Sequence, residues 1–231
     1  MPIQKYFVQE NARRAEIDEF LSQDLKRAGY SRVEMTKTPL GTRVVVYAAK
    51  PGLVIGRRGE SIRDLTQVLE KRFGVQNPQI SVATLEAPEL DAKVVASQIA
   101  MALQRGIHFR RAAYWALQRT MEAGALGAEI SIRGKLTTDR ARYEKYKAGY
   151  LPSVGEAISK LVRFAVVDTQ LKQGLFGIRV RLMPPNVSLP DKPSIRDVQP
   201  APVEQKPVVA QVAAETGVIN EVAEPANSEE A

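Results

Sequence analysis

A short loop in which two glycines enclose two arginines is the feature of this 231-residue chain with the clearest chemical potential. The loop is Gly56-Arg57-Arg58-Gly59, and an amphipathic helical pattern follows it. Because glycine has no Cβ, a phosphodiester backbone can approach the main chain there. The first turn of the following helix presents free N–H groups to phosphate, and both guanidinium groups add positive charge. The spacing predicts a phosphate-binding loop, the alternative being a tight structural turn between two helices.

The glycine spacing does not fit two common nucleotide-binding motifs. Gly52, Gly56 and Gly59 lack the Gly-x-Gly-x-x-Gly spacing of a dinucleotide-binding turn, and no Lys-Ser or Lys-Thr pair follows them as in a P-loop. Neither a dinucleotide nor a nucleoside triphosphate is therefore predicted as the ligand of this loop.

A second candidate is Arg110-Arg111, near the start of a helix predicted over residues 107–123. At about 100° per residue, one face of that helix collects Phe109, Ala113, Ala116 and Thr120, with Leu117 at its edge. Arg110 and Arg111 flank the outward face, which also carries Tyr114 and Trp115. That face is either an ordinary solvated surface or a platform for phosphates and stacked bases. Trp115 either belongs to this platform or packs between two domains.

A third candidate is a basic face on a predicted β-sheet. Apolar residues alternate with basic ones in two strands, which places them on opposite faces: Ile130, Ile132 and Leu136 against Arg133 and Lys135, and Ile178, Val180 and Leu182 against Arg179 and Arg181. The segment after Lys135 adds Arg140, Arg142, Lys145 and Lys147. An ordinary solvated sheet face would mix charge signs more evenly, so we expect contacts to RNA phosphates. Such contacts give affinity and orientation, not sequence choice.

The charge distribution supports a polyanionic partner. The whole chain has a formal net charge of +7, but residues 190–231 hold three basic and eight acidic residues, a net of −5. The first 189 residues therefore carry +12. A strongly basic body with an acidic tail favours a nucleic-acid partner, the alternative being a basic but unspecialised soluble protein.

Composition excludes several classes of site. The chain has no cysteine and one histidine, His108, so disulfides, thiolate metal sites and most histidine-assisted triads are excluded. Asp139, Glu144 and Asp168 are scattered and show no evident partner. We therefore predict no enzyme activity, catalytic residue, metal, cofactor or small-molecule substrate. No run approaches the ~20 apolar residues of a membrane span and no signal peptide is evident, so we expect a cytoplasmic protein without a membrane partner.

Two α+β domains are predicted to position these candidates. Residues 1–86 show the order helix, strand, strand, short helix, helix, strand, with the glycine loop between the two adjacent helices. Residues 87–189 show two helices followed by four strands, predicted to form a mostly antiparallel sheet. Residues 190–231 are rich in proline and acidic residues, which is typical of a disordered tail.

The first domain, with its Gly-x-x-Gly loop between an apolar and an amphipathic helix, resembles a type II KH domain. That resemblance implies that Gly56, Arg57, Arg58 and Gly59 clamp single-stranded nucleic acid.

Three segments in order resemble the uS3 family of small-subunit ribosomal proteins. They are the run from Gly56 to Gly74, the Phe109-Arg110-Arg111 helix, and the segment Ile132-Arg133-Gly134-Lys135-Leu136. The resemblance covers about residues 1–185, and the archaeal form is the most similar because a glycine-rich bacterial segment after Leu136 is missing.

Membership of that family would imply a place in the head of the small ribosomal subunit, bound to ribosomal RNA and lining the channel by which messenger RNA enters. The counterparts of Arg110 and Arg111 face the incoming messenger. A further basic residue that bacterial members carry one turn later is Tyr114 here. The uS10 and uS14 proteins are the implied neighbours, and His108 is interpreted as structural.

Two other functions remain as alternatives. A free KH-type regulator of messenger RNA is one, although such regulators usually repeat KH modules. A DNA-repair lyase or endonuclease is the other, which would need a lysine of lowered pKa or clustered carboxylates for metal.

Overall fold

The computed structural model describes residues 3–187. The disordered tail predicted for residues 190–231 lies outside the described residues. The described helices and strands follow the chain in the order α1 (Ile3–Asp24), β1 (Tyr30–Thr38), β2 (Gly41–Ala48), α2 (Pro51–Ile55), α3 (Glu60–Phe73), β3 (Pro78–Thr84), α4 (Ala92–Gln104), α5 (Phe109–Glu122), β4 (Gly127–Gly134), β5 (Arg142–Gly149), α6 (Glu156–Leu161), β6 (Arg163–Leu171) and β7 (Gly174–Met183).

The first domain is a three-stranded sheet covered by helices. Its strand order is β1-β2-β3, with β1 antiparallel and β3 parallel to β2. A parallel pair needs a crossover between its strands, and α2 and α3 with the glycine loop between them are that crossover. The core is lined by Ile17 and Leu21 of α1, Val44 and Val46 of β2, and Leu65 and Leu69 of α3. The predicted α-β-β-α-α-β order is therefore present.

The second domain packs α4 and α5 against one face of a four-stranded sheet. The strand order is β5-β4-β7-β6, and every neighbouring pair is antiparallel. Ile130 and Ile132 of β4 lie beside Val180 and Ile178 of β7 and are fully buried in the core under the helices. A hairpin turn after Leu171 joins β6 to β7.

Two details of the second domain differ from the sequence expectation. The prediction of two helices and four strands did not include α6, a short helix over residues 156–161 that precedes β6 at Arg163. β4 ends at Gly134, so Lys135 and Leu136 follow the strand instead of continuing it. Lys135 is nevertheless exposed and Leu136 buried, as the alternation predicts. The boundary placed between residues 86 and 87 stays a prediction.

A polar cluster joins the two domains. Asp91 caps α4, because its Oδ1 accepts a hydrogen bond from the Lys93 backbone N–H at 3.0 Å. Its other carboxylate oxygen accepts from the Ser31 hydroxyl at the start of β1. The Lys93 ammonium reaches Asp18 of α1 at 3.3 Å. The segment 91–93 thus forms the start of α4 in the second domain and also contacts α1 and β1 of the first domain.

Candidate nucleic-acid interface

The two glycines of the loop have different structural roles. Gly56 has φ 73° and ψ −177°, a combination that is accessible essentially only to glycine. A Cβ on Gly56 would lie 2.2 Å from the Ser61 Oγ and 2.8 Å from the Ser61 Cβ. Gly59 has φ 76° and ψ 18°, and a Cβ there would meet nothing within 4 Å. The first glycine therefore lets the loop pack on α3, whereas the second leaves open space outside the loop.

The loop presents unpaired positive charge at a helix start. Arg57 and Arg58 are exposed, and neither forms an ion pair with any residue in 3–187. Arg58 has φ 53°, an uncommon value for a residue with a side chain. No side chain caps the N-terminus of α3. The Glu60 N–H donates to the Arg57 carbonyl within the loop, and the start of the helix carries partial positive charge. Backbone and side chains together can therefore hold phosphate oxygens.

His108 stands at the N-terminus of α5. Its Nδ1 caps the helix by accepting a hydrogen bond from the Arg110 backbone N–H at 3.4 Å, and its ring lies 4.4 Å from the Phe109 ring. The predicted inward face is buried, with all of its residues in the core: Phe109, Ala113, Ala116, Leu117 and Thr120. Arg110 and Arg111 consequently project outward.

The two adjacent arginines have different surroundings. Arg110 makes a bidentate ion pair with Glu144 of β5, with Nε 3.2 Å and Nη2 3.0 Å from the two carboxylate oxygens. The Tyr146 hydroxyl also donates to Glu144, at 2.5 Å. The Arg110 hydrogen bonds hold the pKa of the Glu144 carboxyl below its usual range. Arg111 is exposed, and within the described part of the chain it has no such partner.

The expectation that Glu144 has no evident partner is therefore wrong. Glu144 lies opposite Ile132 of β4 in the sheet register, on the side that faces α5. This brings its carboxylate to Arg110, which is 34 residues away in the chain.

Trp115 is not packed between the domains, and it lies on the outward face of α5. Its side chain is 45% exposed, with the Arg119 guanidinium over the ring at 5.0 Å. Tyr114 is 60% exposed, and its ring meets the Tyr146 ring edge-on at 5.0 Å. Of the two placements considered for Trp115, the structure has the outward one.

The outward face of the second sheet contains a buried carboxylate that the sequence analysis missed. The Glu129 side chain is only 5% exposed and accepts from the Lys145 ammonium at 3.3 Å and the Lys147 ammonium at 3.2 Å. Burial raises the pKa of Glu129, but the hydrogen bonds from Lys147 and Lys145 outweigh this and leave the pKa lowered. Period-two alternation would have found Glu129, because it shares a face with Ser131 and Arg133.

The other predicted basic residues of this region lie in several environments. Arg179 and Arg181 are half-buried on the central strand β7, and the Arg179 guanidinium lies 5.4 Å from the centroid of the Phe164 ring. Arg133, Lys135 and Arg140 are exposed at the end of β4 and in the loop that follows. Arg142 lies opposite Gly134, and its side chain is on the same face of β5 as that of Glu144. It therefore belongs to the helix side of the sheet, not to the face that carries Lys145 and Lys147.

Residues 3–187 contain no group of histidine and carboxylate side chains arranged to hold a metal ion. No helix in this range is long and apolar enough to cross a bilayer.

Two family models match the two domains. Residues 16–90 match the model described as KH domain, and residues 99–182 match the model described as ribosomal protein S3, C-terminal domain. The predicted fold class, a KH domain followed by an α+β domain with a four-stranded antiparallel sheet, is thereby confirmed.

Curated archaeal proteins are similar over most of the chain. The small ribosomal subunit protein uS3 of Methanocaldococcus jannaschii is 48% identical over 195 residues, which is 84% of this chain and 94% of that protein. The protein of the same name from Saccharolobus solfataricus is 45% identical over 202 residues, or 87% of this chain and 88% of that protein. Identities of this size over nearly full length confirm the resemblance seen in the sequence: the chain belongs to the uS3 family of small ribosomal subunit proteins.

Proposed function

We propose that this chain is a structural constituent of the head of the small ribosomal subunit, where it binds ribosomal RNA and lines the channel by which messenger RNA enters. The near full-length similarity to uS3 proteins carries the ribosomal part of the proposal. The position in the head, the contact with messenger, the uS10 and uS14 neighbours and the cytoplasmic location are expectations from the family. Translation is the process that it would support.

The geometry supports RNA binding through three surfaces. The glycine loop offers open backbone and two unpaired arginines. The start of α5 offers Arg110 and Arg111 for messenger. The proposed ribosomal RNA contacts in the second domain are Arg133, Lys135, Arg140, Arg142, Lys145, Lys147, Arg179 and Arg181. Since Lys145 and Lys147 share Glu129, the cations without a carboxylate partner contribute most of the attraction.

The alternative functions have less support. The relatives are named as small ribosomal subunit proteins, which favours a structural role over the lyase or endonuclease alternative. A free KH regulator would not need the second domain, which matches the ribosomal protein S3 C-terminal model.

Sedimentation tests the ribosomal assignment directly. The full chain, tagged and expressed at its natural level in its host, should migrate with small subunits and with assembled ribosomes. A pool found entirely in the light fractions would contradict the proposal. A density map of such a subunit would then report the uS10 and uS14 contacts.

A double substitution tests the contact with messenger. Subunits with Arg110→Ala plus Arg111→Ala should assemble normally but advance more slowly through structured messenger than through unstructured messenger, because both side chains project away from the core. Lys26→Ala plus Arg27→Ala removes the same charge from two adjacent exposed residues of the first domain and is the matched control. Equal passage of both variants through a messenger hairpin would contradict the assignment.

A further inference from the structure

We propose that Trp115 is a stacking site for a base of single-stranded RNA, with Arg111 holding a phosphate of the same strand. The proposal rests on the proposed function and adds a specific contact to it: a base-recognising side chain beside the basic residues of α5.

Arg111, Trp115 and Arg119 form one stripe on α5, which we call the arginine–tryptophan stripe. They are spaced four residues apart on a regular α-helix, so their side chains are neighbours on its surface. Arg111 and Arg119 are exposed and Trp115 is 45% exposed. The stripe therefore places an indole ring between two cations, on the face away from the core.

The indole ring is oriented by contacts within the protein. The Arg119 guanidinium lies over the ring at 5.0 Å and is anchored to the Glu89 carboxylate at 3.2 Å. A preset ring loses little conformational freedom when a base stacks on it. Tyr114, 60% exposed with its ring edge-on to Tyr146, is a second exposed aromatic ring on the outward side of α5.

The unpaired cation of the stripe favours an anionic partner, and the exposed rings favour one that carries bases. The nearby carboxylates already have partners: Glu89 binds Arg119, Glu144 binds Arg110, and Glu122 accepts from Gln118. Arg111 has no ion-pair partner among residues 3–187 and is free to bind a phosphate. Exposed aromatic rings beside unpaired cations are the combination that binds single-stranded nucleic acid without sequence preference.

Intrinsic fluorescence gives a direct readout, because Trp115 is the only tryptophan of the chain. The full chain is titrated with two 12-nucleotide strands that carry the same fluorescent label. One is oligouridine and the other is an abasic ribose-phosphate strand. Anisotropy of the label reports binding, and tryptophan emission reports stacking. We expect both strands to bind, but only the oligouridine to quench Trp115.

Variants separate stacking from charge. Trp115→Ala should weaken oligouridine binding by about tenfold and leave binding of the abasic strand unchanged, while Trp115→Phe should keep most of the affinity. Arg111→Gln should weaken the binding of both strands. Because Trp115 lies outside the core, circular dichroism of each variant should match the parent chain.

The outcomes distinguish this proposal from the proposed function. Binding of both strands with equal quenching, or without any, would overturn the stacking site and leave RNA binding intact. The same holds if Trp115→Ala binds oligouridine as tightly as the parent chain. Failure of the parent chain to bind either strand would count against both proposals.

Discussion

The glycine loop of the first domain and the basic surfaces of the second are both proposed to meet RNA phosphates, but they are built differently. In the loop, Gly56 and Gly59 shape the backbone, and Arg57 and Arg58 have no carboxylate partner in the described part of the chain. In the second domain, Arg110 is bound to Glu144, and Lys145 and Lys147 are bound to Glu129.

The difference shows that a count of lysine and arginine overestimates the charge available to RNA. A cation that already has a carboxylate partner must exchange that partner for a phosphate, so its net gain is smaller. The free cations, Arg111 among them, release counterions without that exchange. The 30 basic residues among residues 1–189 are thus an upper limit on the cations that these surfaces can offer to RNA.

The largest expected effect concerns the backbone of the loop. Gly56→Ala should reduce the free energy of unfolding by about 1–3 kcal/mol, because its Cβ would collide with Ser61 at a backbone conformation available only to glycine. Gly59→Ala is the matched control, with a loss of about 1 kcal/mol, since no atom lies within 4 Å of its Cβ. Urea unfolding of the full chain measures both. Equal losses would show that the two glycines do not differ in packing.

The next effect compares a free cation with a paired one. Arg111→Ala should weaken binding of single-stranded RNA more than Arg110→Ala, and should reduce the slope of log affinity against log salt by about 0.7. Glu144→Gln should raise affinity, because it releases Arg110 from its ion pair. Salt titrations of the three variants test this. A larger loss for Arg110→Ala would mean that Arg110 leaves Glu144 when RNA binds.

The smallest effect concerns the carboxylate on the sheet face. Glu129→Gln should cost about 1 kcal/mol of folding stability at pH 7, because one of the two acceptor oxygens becomes an NH2 donor and the negative charge that attracts both ammonium groups is removed. The folded pKa of Glu129 is lowered, so its contribution is complete above the unfolded carboxyl pKa of about 4.3 and disappears as pH falls through the folded pKa. The unfolding curves of the parent chain and the variant should therefore differ at neutral pH and converge at acidic pH. A difference that persists in acid would assign the cost to packing.

The sequence predicted features that depend on local periodicity. Alternation placed Ile130, Ile132 and Ile178 in the core, and three- and four-residue spacing placed Phe109 and Ala113 there. The same alternation would also have separated Arg142 from Lys145, because they differ by an odd number of residues. The clustering of basic residues after Lys135 suggested one common face, whereas the alternation along β5 assigns Arg142 and Lys145 to opposite faces.

Features that depend on distant pairing were not predictable in this way. The ion pair of Arg110 with Glu144 requires the packing of α5 against β5, and no local pattern encodes that. The helix α6 has six residues and follows Gly155 without a side-chain cap. It is too short to show a helical period.

Asp91 has a consequence for how the molecule unfolds. The two cores share no residue, yet this carboxylate caps α4 of one domain and accepts from Ser31 of the other. Opening the start of β1 therefore removes a partner of the residue that caps α4, and fraying of α4 leaves the Ser31 hydroxyl unpaired. Through this one side chain, local melting in either domain removes a contact of the other, which couples the stabilities of the two domains by about 1.5–3 kcal/mol, the contribution of a hydrogen bond to a charged group.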